Sequence, residues 1–330
     1  MRKKEGKERD FQRQFVPQSV RDIFSKAFRQ GLKVSWMLLK IYIPVSIITA
    51  VLDRIGFLDL IAPVFEPLMK LIGLPGEAAL VLLAAWVNNL FAAIAAASVI
   101  DLSIRQITII AIVTGFAHNL IVETGVLVKL KMARPAIALT RIVFGFAAGM
   151  VLNLIMPETV KGIIMNPYAG SSADFSWTAH LSGIAVTTLQ IVIVMFLVML
   201  VYEFFLYWKH SGKIKEKLTV FTRFFGMSSA ALGPWLVGTF IGIAYGAGIL
   251  FDMNRKHLLT HKDNCLLTAS LCLFHAVVED TVIFVVIGAN LWWILGARIL
   301  SLILIITLLS RNNLYKKFTW AGLPKATLKR

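Results

Sequence analysis

Charge is scarce in this chain, and negative charge scarcer still. Asp, Glu, Lys and Arg make up 16% of the 330 residues, where a soluble domain carries about 25%. Cysteine is nearly absent. The two present, Cys265 and Cys272, lie in one apolar stretch at a spacing that shares a helix face, and read as buried small hydrophobes rather than a disulfide or metal pair. There is no G-x-x-x-x-G-K-[ST] loop, so the chain is not itself a P-loop NTPase. H-E-x-x-H and G-x-S-x-G are missing too, which leaves nothing to suggest an intramembrane hydrolase. The chain therefore reads as no enzyme, and no cofactor is called for. The first 33 residues are too polar to supply the apolar core of a signal peptide.

What is abundant is apolar sequence: 58% of the chain is hydrophobic and mean hydropathy is +0.75. The net charge of +16 invites a nucleic-acid reading, which the placement of the bases rejects. They flank hydrophobic blocks, as orientation signals do in a membrane protein. A spanning helix needs about 20 apolar residues, and six stretches qualify: 34–52, 106–128, 136–156, 178–206, 265–287 and 291–310. Two further apolar stretches, 77–100 and 226–250, are interrupted. Asn88 and Asn89 break the first; Gly233, Pro234, Gly238, Gly242, Gly246 and Gly248 break the second. Interrupted apolar segments at matching places in two halves point to a transporter binding site.

Charge decides whether these two stretches cross or return. If both are re-entrant hairpins and the N-terminus is cytoplasmic, 28 Lys and Arg fall inside and only Arg54, Lys70, Arg105 and Lys161 outside. If both cross, the outside count rises to 10. The positive-inside rule favours the hairpins. Trp177 and Trp292–Trp293 then fall at the outer interface, Tyr207 and Trp208 at the inner one. The expected fold is an all-α integral membrane protein of six transmembrane helices and two re-entrant hairpins. It has both termini in the cytoplasm of a bacterial-type inner membrane. Residues 1–33 form a basic segment, with an amphipathic helix over 15–32 lying on the bilayer surface. The first repeat is 34–156, an outer linker 157–177, the second repeat 178–310 and a basic tail 311–330.

The repeat shows in the residues. His118-Asn-Leu-Ile-Val-Glu123-Thr124 matches His275-Ala-Val-Val-Glu279-Asp280-Thr281, and Arg141 and Arg298 follow at equal distance. His, Thr and Arg all recur at an offset of 157, with Glu123 opposite Asp280. Each half holds three crossings, an odd number, so the second half is expected to be inverted. Both histidines fall near the bilayer midplane, where ionisable groups face the protein interior or a wet cavity. His275 and Glu279, four apart, share a helix face. They can bond each other, bind a metal or relay a proton. His118 and Glu123, five apart on a continuous helix, are not expected to form such a pair, whereas Asn119 and Glu123 share a face. That inequality argues against a symmetric metal site. Arg141 and Arg298 either pair with Glu123 and Asp280 or meet an anionic solute. Asn88 and Asn89 cap the half-helices of a hairpin or bind solute there.

Gly73-Leu-Pro-Gly-Glu-Ala-Ala-Leu80, Trp86-Val-Asn-Asn-Leu-Phe-Ala-Ala93 and His118-Asn-Leu-Ile-Val-Glu123 resemble the nucleoside-recognition, or Gate, domain family. His275-Ala-Val-Val-Glu279-Asp280 resembles a second, divergent copy. The resemblance covers 73–155 well and 226–310 more loosely. It implies a transporter-like fold with paired hairpins, as in spore-maturation membrane proteins, ferrous-iron transporters and relatives of concentrative nucleoside transporters. The first expectation is a secondary transporter of a small polar or anionic solute such as a nucleoside, with the residues above around its site and a proton as coupling ion. A divalent-metal transporter and a membrane scaffold that binds a protein partner are the alternatives.

Overall fold

The computed structural model describes residues 20–129, 135–160, 176–208 and 220–311, apart from 221, 223, 244–248, 251, 254, 255 and 257. All regular structure among them is helical. The first half holds α1 (Val20–Arg54), α2 (Phe57–Leu71), α3 (Ala78–Val87), α4 (Leu90–Ala97), α5 (Ile104–Phe116), α6 (Leu120–Lys129) and α7 (Ile137–Ile155). The second holds α8 (Trp177–Trp208), α9 (Leu232–Ile241), α10 (His261–Leu273), α11 (Val277–Val286) and α12 (Leu291–Arg311). Residues 1–19, most of the expected outer linker, residues 244–248 of the stretch 226–250 with Gly246 and Gly248, and the tail beyond residue 311 lie outside the described residues.

Six helical spans are long and apolar enough to cross a membrane, and they fall on the six expected stretches. Burial sorts them into two classes. The spans Ile104–Val128 and His261–Val286 are 78% and 72% buried, whereas the other four are 28–39% buried. Two helices therefore form the centre and four surround them. The outward faces are apolar, with Leu154, Val64 and Trp292 among the most exposed side chains. That surface suits lipid.

Two departures from the expected layout have physical causes. The surface helix expected over 15–32 is not separate from the first span, because α1 runs unbroken through residue 33. Arg21, Lys26, Arg29 and Lys33 lower the local hydropathy without interrupting helical hydrogen bonding. Ala27, Gly31 and Ser35, spaced four apart, are all buried, and α1 packs on α8. Small residues at that spacing let two backbones approach closely. A β-carbon on Gly31 would lie 3.0 Å from Phe196 Cα. Gly31→Leu is therefore expected to cost about 1–3 kcal/mol, read as a lower unfolding midpoint of the purified protein, with Gly31→Ala in between. An unchanged Gly31→Leu would mean that α1 and α8 do not meet there.

The second departure is central: both inner spans are broken. α5 ends at Phe116 and α6 starts at Leu120; α10 ends at Leu273 and α11 starts at Val277. The stretch 77–100 is interrupted where expected, at Asn88 and Asn89, and α3 and α4 are separate short helices that pack on each other. Their lengths, about 15 and 12 Å, are each well short of the roughly 30 Å hydrocarbon core. Asn89 ends the interruption: its side chain accepts from Ala92 N–H at 3.0 Å and caps α4.

The two halves repeat in register. α5 and α10 each span 13 residues, and α6 and α11 each span 10. The offset of 157 relates their first residues as it relates His118 to His275. Both α5 and α10 open with a capping box, Ser103 with Gln106 and Thr260 with Asp263.

Candidate functional site

The two breaks meet at the centre of the fold. Asn119 and Ala276, equivalent positions in the two halves, are the only described non-glycine residues with positive φ, +46° and +43°. Asparagine tolerates that backbone; alanine does so at a cost. Each freed N–H finds a partner on the preceding short helix of its own half. Asn119 N–H donates to Ala85 O at 2.8 Å, and Ala276 N–H donates to Gly238 O at 3.2 Å. The ends of α3 and α9 thus pin the two breaks in place.

Each break presents one histidine. His118 Nδ1 lies 2.9 Å from Thr114 O and His275 Nδ1 lies 2.6 Å from Leu271 O, each the carbonyl four residues earlier. The rings lie side by side, centroids 5.0 Å apart and tilted by 34°. Their outer nitrogens face one carboxylate. His118 Nε2 is 3.3 Å from Glu123 Oε1, and His275 Nε2 is 3.2 Å from Glu123 Oε2. Glu123 sits in the first turn of α6, where the positive end of the helix dipole favours an anion. Arg141 of α7 approaches Glu123 Oε2 to 2.7 Å with Nη2, and its Nε–H donates to Phe116 O at 2.9 Å. That pair is close in distance but lacks hydrogen-bond alignment, so charge rather than directionality holds it.

The second half builds a parallel but unequal pair. Arg298 Nη1 donates to Asp280 Oδ2 at 3.1 Å. Its Nη2 donates to His275 O at 2.6 Å and to Gly115 O, in the other half, at 3.4 Å. All of His118, Glu123, Arg141, His275, Asp280 and Arg298 are buried. So are Thr124 and Thr281, whose hydroxyls have no hydrogen-bond partner. Glu279 is half-buried and close enough to interact electrostatically with His118, Glu123 and Asp280.

Two expectations from sequence are corrected. His118 and Glu123 do pair, because the helix breaks between them and the 140° separation of a continuous helix does not apply. His275 turns to Glu123 rather than Glu279, because the break at 274–276 removes the shared face. The metal-type donor set is accordingly His118, Glu123 and His275, whose ligand atoms lie within 4.8 Å of one another, and not His275 with Glu279. Asn119 meets Glu123 through the backbone, its carbonyl accepting from Glu123 N–H at 3.0 Å. Asn89 caps α4 as described, and Asn88 is the last residue before that cap. Sequence reasoning passed over Ala85, Gly115 and Phe116. They act through backbone carbonyls, which leave no mark in side-chain patterns.

The family model for Gate, described as nucleoside recognition, matches residues 35–134. That match takes in Asn88, Asn89, His118 and Glu123; it stops before Arg141 and does not reach the second half. The chain is 30% identical over 296 residues to the uncharacterized membrane protein YvoD of Bacillus subtilis (strain 168), covering 87% of this chain and 93% of that protein. No solved structure matches.

Proposed function

The chain belongs to the Gate family of nucleoside-recognition membrane proteins, and on that premise we propose that this multi-pass protein is a secondary transporter moving a small polar solute by alternating access. One observation carries the reading: two broken central helices, one from each half, each bring a histidine to a single carboxylate. Broken helices at bilayer depth are tolerated only where the freed backbone is buried in protein or lines a cavity. In transporters such breaks build the solute site. A carboxylate gripped by both halves is a contact that separation of the halves would break, and so a natural gate.

Several observations support the finer layout. With α3–α4 as a re-entrant hairpin and its counterpart beginning at α9, each half has three crossings, and the second half is inverted. The bias of 28 basic residues against 4 then supports a topology with both termini in the cytoplasm. The rings of His118 and His275 are in contact, so a solute of nucleoside size enters only when the halves part, and this conformation is the occluded one.

The test needs no known substrate. Thr124→Cys and Thr281→Cys are placed singly in a Cys265→Ala, Cys272→Ala background and labelled in oriented vesicles with a membrane-impermeant maleimide. The expected result is labelling from both sides, in a ratio that Glu123→Gln shifts. Labelling from one side only, with a ratio no variant moves, would mean a static scaffold.

A further inference from the structure

We infer that His118, Glu123 and His275 bind a divalent transition-metal ion, held across the two halves. The inference rests on the transporter reading and names the species that the central site takes.

The tautomers decide the argument. A backbone carbonyl can only accept, so the Nδ1 facing Thr114 O and the Nδ1 facing Leu271 O each carry a hydrogen. In a neutral ring, Nε2 is then a bare lone pair. Both lone pairs point at the carboxylate of Glu123 from 3.3 and 3.2 Å. Acceptor against acceptor in a buried site is unfavourable, and His275 Nε2 has no hydrogen-bond partner among the described residues although His275 is 1% exposed. A cation between the groups removes the conflict. The outer Nδ1–H···O=C bonds are also those that orient metal-bound histidines and raise their basicity.

Proton binding resolves only half the conflict. One shared proton joins one ring to Glu123 and leaves the other ring facing an acceptor. Two protons place two imidazolium rings 5.0 Å apart beside the Arg141 guanidinium, which is a poor arrangement of like charge. A metal serves both rings at once. Ligands bonded at 2.0–2.2 Å in a tetrahedron stand roughly 3.4 Å apart, near the 3.3 Å from His118 Nε2 to Glu123 Oε1, and all three donors lie within 4.8 Å of one another. Two imidazoles and one carboxylate, with no thiolate, suit Zn2+, Fe2+, Co2+ or Mn2+ rather than Cu+ or Ca2+.

Arg141 competes for the same carboxylate. It sits on Oε2, the oxygen that His275 Nε2 also faces, so an ion held by Oε1 and the two Nε2 atoms draws His275 away from Oε2 and keeps an open position. A three-ligand set weakened by a neighbouring cation binds less tightly than a closed structural site, as a carrier requires.

The experiment uses the full chain, free of any affinity tag and stripped with chelator, titrated in detergent with Co2+ and followed by visible absorption and thermal unfolding. One Co2+ per chain is expected, with ligand-field bands and a raised unfolding midpoint. His118→Asn and His275→Asn should each weaken binding by about tenfold or more, while His180→Asn changes nothing. Should the variants fail to fold, X-ray absorption of the Zn2+-loaded wild type must show imidazole scattering. A first shell of oxygen alone, or no ligand-field bands, overturns the proposal. So does a wild type blind to metals whose midpoint follows pH through the histidine range only while both histidines are present; that assigns the cluster to a proton. Two-sided cysteine labelling together with no metal binding sinks this inference and leaves the transporter reading standing.

Discussion

Glu123→Ala should lower stability by about 3–5 kcal/mol, the usual consequence of removing one partner from a buried ion pair. The cause is what remains. Arg141 is 1% exposed, and without Glu123 its charge has only the Phe116 carbonyl, which accepts from Nε. His118 and His275 lose the group they both face. Glu123→Gln keeps the volume, loses the charge and should fall between. The informative variant is Glu123→Ala with Arg141→Leu, which removes both charges and should recover much of the loss even though a carboxylate contact to each histidine is gone. Reversible unfolding of the purified protein in mixed micelles reads all three. If Glu123→Ala stays within about 1 kcal/mol of wild type, Arg141 has found water and the cluster is not dry.

The outer architecture was legible because it follows from solvent. A bilayer demands long apolar runs, and all six spans lie where such runs occur. The repeat was legible because side chains carry it: His, Thr and Arg recur at one offset, and the helices and capping boxes recur at the same one. The breaks were not. Ala117-His118-Asn119 and Phe274-His275-Ala276 contain neither glycine nor proline, the residues that ordinarily announce an interruption. Asn119 was the available hint, as a residue that tolerates positive φ. Ala276 offered none, because its backbone is held by a tertiary bond to Gly238 O. On a continuous span, helical-face arithmetic gives His275 the wrong carboxylate and denies His118 the right one. The continuity of α1 was hidden for the opposite reason. Hydropathy drops across Arg29–Lys33, but packing on α8, not hydropathy, sets how far that helix runs.

Arg298 shows how far the two halves depend on each other, and its loss should rival that of Glu123. It is fully buried. It bonds Asp280 and the carbonyl of His275 in its own half and the carbonyl of Gly115 in the other. Arg298→Ala strands a buried carboxylate and frees a carbonyl at the break, so a cost of about 3–5 kcal/mol is expected. Arg298→Lys restores the charge without the planar fork that reaches several acceptors at once, and should recover only part. The two roles separate in Arg298→Ala with Asp280→Asn. That variant relieves the stranded charge and should regain stability, yet His275 O is still unheld and the break is free to move. If Arg298 fastens the gate, the double variant unfolds closer to wild type while the inside-to-outside labelling ratio at Thr281→Cys stays displaced. If the ratio returns with stability, Arg298 serves only to neutralise Asp280, and the position of the break is set by Gly238 alone.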